Sequence, residues 1–209
     1  MLLSKKTLAV INAASTDKTR FELNGVLIEG DGSGVGCDGQ ILVKYTPNFL
    51  PDASEYPAIE GVTVVDPEGV TLTPFILPAE ACIQISKAAP KTRRFIPLIE
   101  DIALDVVATN LNGNAVMAVT DLETPQVFKP KKLDGQYPNY TKILPTNGAT
   151  LTVGLGVAVL EKVLKTLKAL NVEEFSFGVT DAKSPIQIFA TTKDQDGKVI
   201  AVMMPRRLN

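Results

Sequence analysis

Histidine is absent from the 209 residues. With it go the commonest general base, every Ser-His or Cys-His nucleophile pair, and the usual nitrogen ligand of a metal site. Cysteine is nearly absent: Cys37 and Cys82 are the only two, with no CxxC spacing, and read as buried, reduced thiols. No metal, no cofactor and no catalytic constellation is expected, so the chain reads as a non-enzyme. Long apolar runs are missing too. The longest mainly apolar stretch, 151–160, is ten residues with two glycines, too short to cross a bilayer. Lys5 and Lys6 follow two leucines with no apolar h-region and no small-residue cleavage site, so no secretory leader is expected and the chain is placed in a cytosol. What is present is ordinary: 45% hydrophobic and 21% charged residues, enough for one large globular domain or one and a half to two small ones.

Along the chain, Ser4 can cap a short helix whose apolar positions Leu8, Ile11 and Ala14 or Ser15 recur at helical spacing. Residues 21–29 (FELNGVLIE) alternate like a strand around an Asn-Gly step, and 40–45 (QILVKY) reads as a second strand. Between them 29–39 (EGDGSGVGCDG) reads as a glycine-rich hairpin loop. A phosphate cradle there would need a GK[ST] ending and a following helix, and a calcium loop on Asp31 and Asp38 would need a different spacing of acids. Residues 47–74 are proline-rich and irregular, with one strand at 62–65. A second unit opens with strand 75–77, Pro78 at a helix first position, Glu80 in the first turn and Pro90 as the stop. Strands 102–109, 115–120 and 126–131 follow, the first two joined by Leu-Asn-Gly-Asn, a hairpin signal.

Residues 133–145 (LDGQYPNYTKILP) form a link: Gly135 and Pro138 punctuate it, Tyr137 and Tyr140 can pin it to a neighbouring surface, and Pro145 stops any helix. Beyond it come strand 151–153 and a helix over 156–170 with the apolar stripe Val157, Leu160, Leu164 and Leu167, while Glu161, Lys165 and Lys168 share another face. Strands 174–179, 186–190 and 199–204 complete the unit, the last two flanking the turn pair Asp196-Gly197. Strand, helix, three strands thus recurs, and the first residues fit the same template with a degraded opening strand. The expected fold is α+β: a domain over 1–145 made of two modules, 1–72 and 73–145, the second ending in the link 133–145, then a third module over 146–209.

The net charge of −2 hides a partition. Lys5, Lys6, Lys18 and Arg20 stand against Asp17; Lys87, Lys91, Arg93 and Arg94 against Glu80; Lys162, Lys165 and Lys168 against Glu161. The three helical segments therefore carry +8 and the remainder −10. Such a chain can draw a polyanion to one surface through phosphate contacts that read no sequence. The same lysines would also arise simply as occupants of solvated helix faces and C-termini.

These segments together resemble the bacterial sliding clamp, the beta subunit of DNA polymerase III. Residues 20–29 (RFELNGVLIE) are similar to the family's strand containing Leu-Asn-Gly, 37–43 (CDGQILV) to its Thr-Asp-Gly-His-Arg-Leu-Ala segment, and 75–88 to its strand-Pro-helix opening. The specific matches are the link 133–145, similar to Asp-Gly-Arg-Phe-Pro-Asp-Tyr, and the tail 202–208 (VMMPRRL), similar to Val-Met-Pro-Met-Arg-Leu.

The resemblance implies a DNA-clamp fold of about one and a half clamp domains, basic helices facing double-stranded DNA, and a processivity factor that holds DNA polymerase and other clamp-motif proteins. A clamp loader is a further implied partner. The DNA-binding candidates are Lys5, Lys6, Lys18, Arg20, Lys87, Lys91, Arg93, Arg94, Lys162, Lys165 and Lys168. The implied partner-peptide pocket comprises Leu23, Cys37, Gln40, Ile41, Leu42, Pro145, Met204, Pro205, Arg207 and Leu208; Leu23, Ile41 and Leu42 read equally well as plain core. The chain departs from the family in module number, three against six, and in Gln40-Ile41 and Arg206. Four chains would supply twelve modules, so a homo-oligomer, a tetramer by module count, is expected, in a bacterial cytosol or a phage-infected host. The alternative is a clamp-derived peptide-binding adaptor or decoy that does not encircle DNA.

Overall fold

The computed structural model describes residues 1–65, 71–90, 97–142, 144, 148–193 and 197–206, the side chains of 97 and 98 excepted. It divides into two compact units, Met1–Asn139 and Tyr140–Asn209.

In the first unit a short strand β1 (Leu2–Leu3) leads into α1 (Lys5–Ala9), capped by Ser4, whose hydroxyl accepts from the Lys6 amide at 3.3 Å. A 3-10 turn, Val10–Ala13, prolongs it. The expected strand over 21–29 starts late: Phe21–Leu23 is a 3-10 turn, and β2 covers Gly25–Ile28. The glycine-rich stretch is not a loop. Its centre is strand β3 (Gly34–Cys37), paired with β2 on one side and with β4 (Leu42–Tyr45) on the other. Glycine is used there for close approach. A Cβ on Gly34 would sit 2.4 Å from the Thr7 carbonyl oxygen, and one on Gly36 would sit 2.2 Å from that of Val10, so helix and strand touch backbone to backbone.

The second module opens with β5 (Phe75–Pro78), and Pro78 is the N-cap of α2 (Ala79–Ala88) rather than its first residue. The expected strand 102–109 is split. Only β6 (Ile102–Leu104) is extended; Asp105 then caps a helix, α3 (Val106–Leu111), by accepting from the Ala108 amide at 2.9 Å. β7 (Met117–Val119) and β8 (Gln126–Phe128) follow.

Each module lends its opening strand to the other. The two sheets run β1-β6-β7-β8 and β4-β3-β2-β5, antiparallel throughout, with Leu2 opposite Ala103 and Leu27 opposite Ile76. One core fills the space between them, drawing Leu8 from α1, Cys82 and Ile85 from α2, Ile28, Leu77, Leu104 and Met117 from the strands.

The expected strand at 62–65 does not form. Residues 53–62 instead cover the outer face of the first sheet, with Tyr56, Ile59 and Val62 against Leu2, Ala103 and Ala118. The Tyr56 hydroxyl donates to the Asp101 carbonyl at 3.1 Å, and the Thr63 amide to the Asp105 carboxylate at 2.9 Å. Burial, with the Glu100 charge adding to it, raises the Asp101 carboxyl to about 6.

In the second unit, α4 (Val157–Ala169) lies on a sheet of β9 (Phe175–Gly178), β10 (Ile186–Thr191) and β11 (Lys198–Met203), in the order β11-β10-β9. Asn171, in the left-handed region at φ 54, ends the helix. The stripe facing the sheet is Leu160, Val163 and Leu167: of the expected Val157, Leu160, Leu164 and Leu167, the second and last face the sheet, Val163 takes the place of Leu164, and Val157 is 83% exposed. Residues 151–153 do not form the expected strand; a single bridge joins Gly154 to Arg206. The turn residue Asp196 lies outside the described residues.

Two consequences can be measured. Gly36→Ala should lower the urea midpoint, costing about 1–3 kcal/mol as an overpacked site does, while Gly113→Ala, with open space around it, should cost far less. Because the folded Asp101 carboxyl titrates above its ordinary value, the protein holds that proton more tightly than the unfolded chain. Stability should therefore fall as pH rises from about 4 to about 6 and then level off, and Asp101→Asn should remove that slope in denaturation series across pH.

Candidate nucleic-acid and partner-peptide surfaces

The helices themselves carry Lys5 and Lys6 on α1, Lys87 against Glu80 on α2, and Lys162, Lys165 and Lys168 against Glu161 on α4. In the first unit α1 and α2 lie side by side, and the groove between them is lined by Lys5, Leu8, Ile11, Ile83 and Lys87. Lys5 is half-buried and its ammonium donates to the Ala89 carbonyl at 2.8 Å, closing the C-terminus of α2. Lys6 and Lys87 are exposed.

Lys18 and Arg20 fall off the helix that was expected to carry them: the 3-10 turn stops at Ala13, and both sit in the connection that follows. The Arg20 guanidinium lies against Gly39 at the β3–β4 turn, where its charge helps hold Asp38 below the usual carboxylate range after the amides of Ile41 and Gln40. Lys91, Arg93 and Arg94 lie outside the described residues.

On α4 the three lysines recur every third residue, so they form a stripe centred opposite the sheet-facing Leu160, Val163 and Leu167. All three are exposed. The Lys165 ammonium is 2.8 Å from Glu161, an exposed pair of the kind worth little in water. Lys87 and Lys165 are each the ninth residue of their helices, so the two modules place a cation at the same point of the same element.

Four pocket candidates of the first unit, Cys37, Gln40, Ile41 and Leu42, sit on one turn. Cys37 ends β3 opposite Leu42, which begins β4, and the Asp38 carboxylate accepts from the Gln40 and Ile41 amides, both at 2.8 Å. This holds the turn rigid and leaves Ile41 51% exposed, with Gln40 exposed beside it. Cys37 is half-buried rather than buried, its sulfur accepting from the Gly39 amide at 3.4 Å. Leu23 is buried. In the second unit Met204 is 65% exposed and Pro205 half-buried. Pro145, Arg207 and Leu208 lie outside the described residues.

A surface that residue-by-residue reading missed lies where the link crosses the second sheet. The Leu133 amide donates to the Ile76 carbonyl at 3.0 Å and the Tyr137 hydroxyl to the Val35 carbonyl at 3.3 Å. Gly135, at φ 115, passes over the ring of Phe21, itself 52% exposed. A groove lined by Leu27, Ile76, Leu133 and Tyr137 runs beneath this strap. The signal was Phe21, which the sequence placed inside a strand and so gave no partner.

Among the described residues no group of three or more Cys, Asp or Glu side chains could hold a metal ion, and no helix is long and apolar enough to cross a membrane. No family model matches the sequence, and no curated protein does.

Solved structures do match, along nearly the whole chain. The DNA polymerase III subunit beta from Pseudomonas aeruginosa aligns with TM-score 0.66 and 17% identity over 98% of this chain and 50% of its own. The beta sliding clamp of C. crescentus gives 0.64 and 16% over the same shares, and the DNA polymerase III beta chain of Streptococcus pneumoniae 0.63 and 18% over 99% and 49%. The fold is that of the bacterial sliding clamp. The chain spans about half the length of the clamps it matches. Within this clamp fold the two cysteines differ sharply. Cys82 is fully buried in the core, its thiol pushed up to about 12 by burial and in contact with the Leu77 carbonyl. A thiol reagent at neutral pH should therefore label Cys37 in the native protein, and Cys82 only once denaturant unfolds the first unit; peptide mapping after labelling distinguishes the two.

Proposed function

We propose that this chain is a sliding-clamp-like DNA polymerase processivity factor, a non-enzymatic tether that holds replication proteins on duplex DNA without reading sequence. The observation that carries the reading is the cationic face set away from the sheet on α4, with Lys87 of α2 at the matching place, on a clamp fold. Clustered lysines attract phosphates by releasing counterions, and that contact is independent of the base sequence.

The chain is read as three modules, 1–72, 73–145 and 146–209, of which four copies would supply twelve. DNA polymerase and other clamp-motif proteins would dock at the β3–β4 turn with Ile41 and at the tail with Met204 and Pro205, with a clamp loader as a further partner. The setting would be a bacterial cytosol or a phage-infected host. A second reading, a peptide-binding adaptor that does not encircle DNA, is favoured by one fact. The rigid, exposed Ile41 turn is complete within the first unit and needs no ring.

Fluorescence anisotropy of a labelled duplex separates the readings. Tethering predicts binding that falls steeply with salt, and replacing Lys162, Lys165 and Lys168 by alanine should weaken it and flatten the log–log salt slope by up to about 3. Wild-type protein should also stay on nicked circular DNA, leave when the circle is linearised, and lengthen primer-extension products. An unchanged salt slope removes these lysines from the DNA face, and clamp-motif peptide binding without retention on circles favours the adaptor.

A further inference from the structure

In the first unit, the strand that follows each helix is never an edge. β2 is covered by β5, and β6 by β1; in both cases the covering strand is the opening strand of the other module. The second unit holds the same parts with that slot empty. β9 follows α4 as β2 follows α1, it pairs with β10, and among the described residues nothing pairs with its other side.

The unit also holds an opening segment with no slot to enter. Gly154, three residues before α4, is bridged to Arg206, just as Ile76, three residues before α2, is bridged to Leu133. Residues 153–156 therefore occupy the place of β5. β5 has a second neighbour, β2, on its other side, and 153–156 have none among the described residues.

The side chains tell the same story. Phe75 and Leu77 of β5 are buried in the shared core, whereas their counterparts Val153 and Leu155 are half-buried and 37% exposed. Phe177 of β9 lies opposite Ile188 and so belongs to the helix-facing side of the sheet, yet it is 46% exposed. Leu164, at the position of the groove-lining Ser86 of α2, is 36% exposed where α2 has α1 beside it. Only five described residues are buried in this core, against nineteen in the two-module core of the first unit. The apolar surface left open is that of half a domain.

We infer that the second unit is completed by the second unit of another copy of this chain. Residues 153–156 of each copy pair antiparallel with β9 of the other about a two-fold axis, in the sense that sets Phe75 opposite Ile28. The occupant is a second copy because the unit carries both the donor segment and the acceptor edge, which makes it self-complementary, the requirement for a closed two-fold interface. A bare strand edge flanked by uncovered apolar side chains is the surface that β-augmentation uses. The inference rests on the three-module reading and not on DNA tethering.

Sedimentation equilibrium and light scattering on the full chain test it. The wild type should show a concentration-dependent species of twice the 22.4 kDa chain mass. Phe177→Glu and Leu155→Glu, both at partly exposed positions, should leave the circular-dichroism spectrum intact and abolish the dimer. Ile200→Glu, on the opposite face of the same sheet, should leave it intact. Amide exchange should show protection of 175–178 rising with protein concentration. A wild type that stays monomeric at high concentration overturns the inference, as does a dimer lost on Ile200→Glu and kept on Phe177→Glu. A monomer that still lengthens primer extension leaves the tethering reading standing, and a dimer without effect on extension does the reverse.

Discussion

Backbone hydrogen bonding at the strand after each helix is the constraint on which the rest of the first unit depends. A strand buried against a helix cannot leave one row of amides and carbonyls without partners. Here the missing row is supplied from the other module, so neither β2 nor β6 is satisfied until both modules are in place. The shared core is the packing expression of the same exchange: Ile28 and Leu104 meet Cys82 and Leu8 in one cluster, with no seam along which the modules could part. A domain built this way has one cooperative core rather than two small ones, which matters because small cores are marginal.

Two further devices close the outer faces. Residues 53–62 cover the first sheet and the link covers the second, each fixed by a tyrosine hydroxyl on a backbone carbonyl, Tyr56 on Asp101 and Tyr137 on Val35. With covers outside, the helices α1 and α2 are left to carry Lys6 and Lys87 at the surface.

Periodicity and punctuation made much of this legible. The strand-then-helix opening of the second module, the α4 helix within a residue at each end, the Ser4 cap and the pinning role of Tyr137 were readable, because each is written in a local pattern. The misreadings came where tertiary contact overrode local preference. Gly34 and Gly36 look like loop residues until Thr7 and Val10 are seen pressed against them. Asp105 looks like a polar residue inside a β-branched run, and only its bond to the Ala108 amide shows that it begins a helix. The α4 stripe was misassigned by one position, with Val163 taking the inward place given to Leu164, since the exposed flank is apolar as well. For the candidate surfaces, the cations of α1, α2 and α4 could be named from sequence. That Lys18 and Arg20 leave the helix depends on where α1 ends, which propensity does not decide.

The strand exchange also sets an order on synthesis. Leu2 finds its partner at Ala103, so β1 cannot be placed until about a hundred more residues have been added. At cellular elongation rates of about 5–20 residues per second, the apolar segment Met1–Leu3 waits roughly 5–20 seconds before its slot exists. For that interval β1 and the Met1 before it hold two leucines and a methionine with nothing to lie against, and the nascent chain is a natural client for whatever shields apolar segments at the exit tunnel.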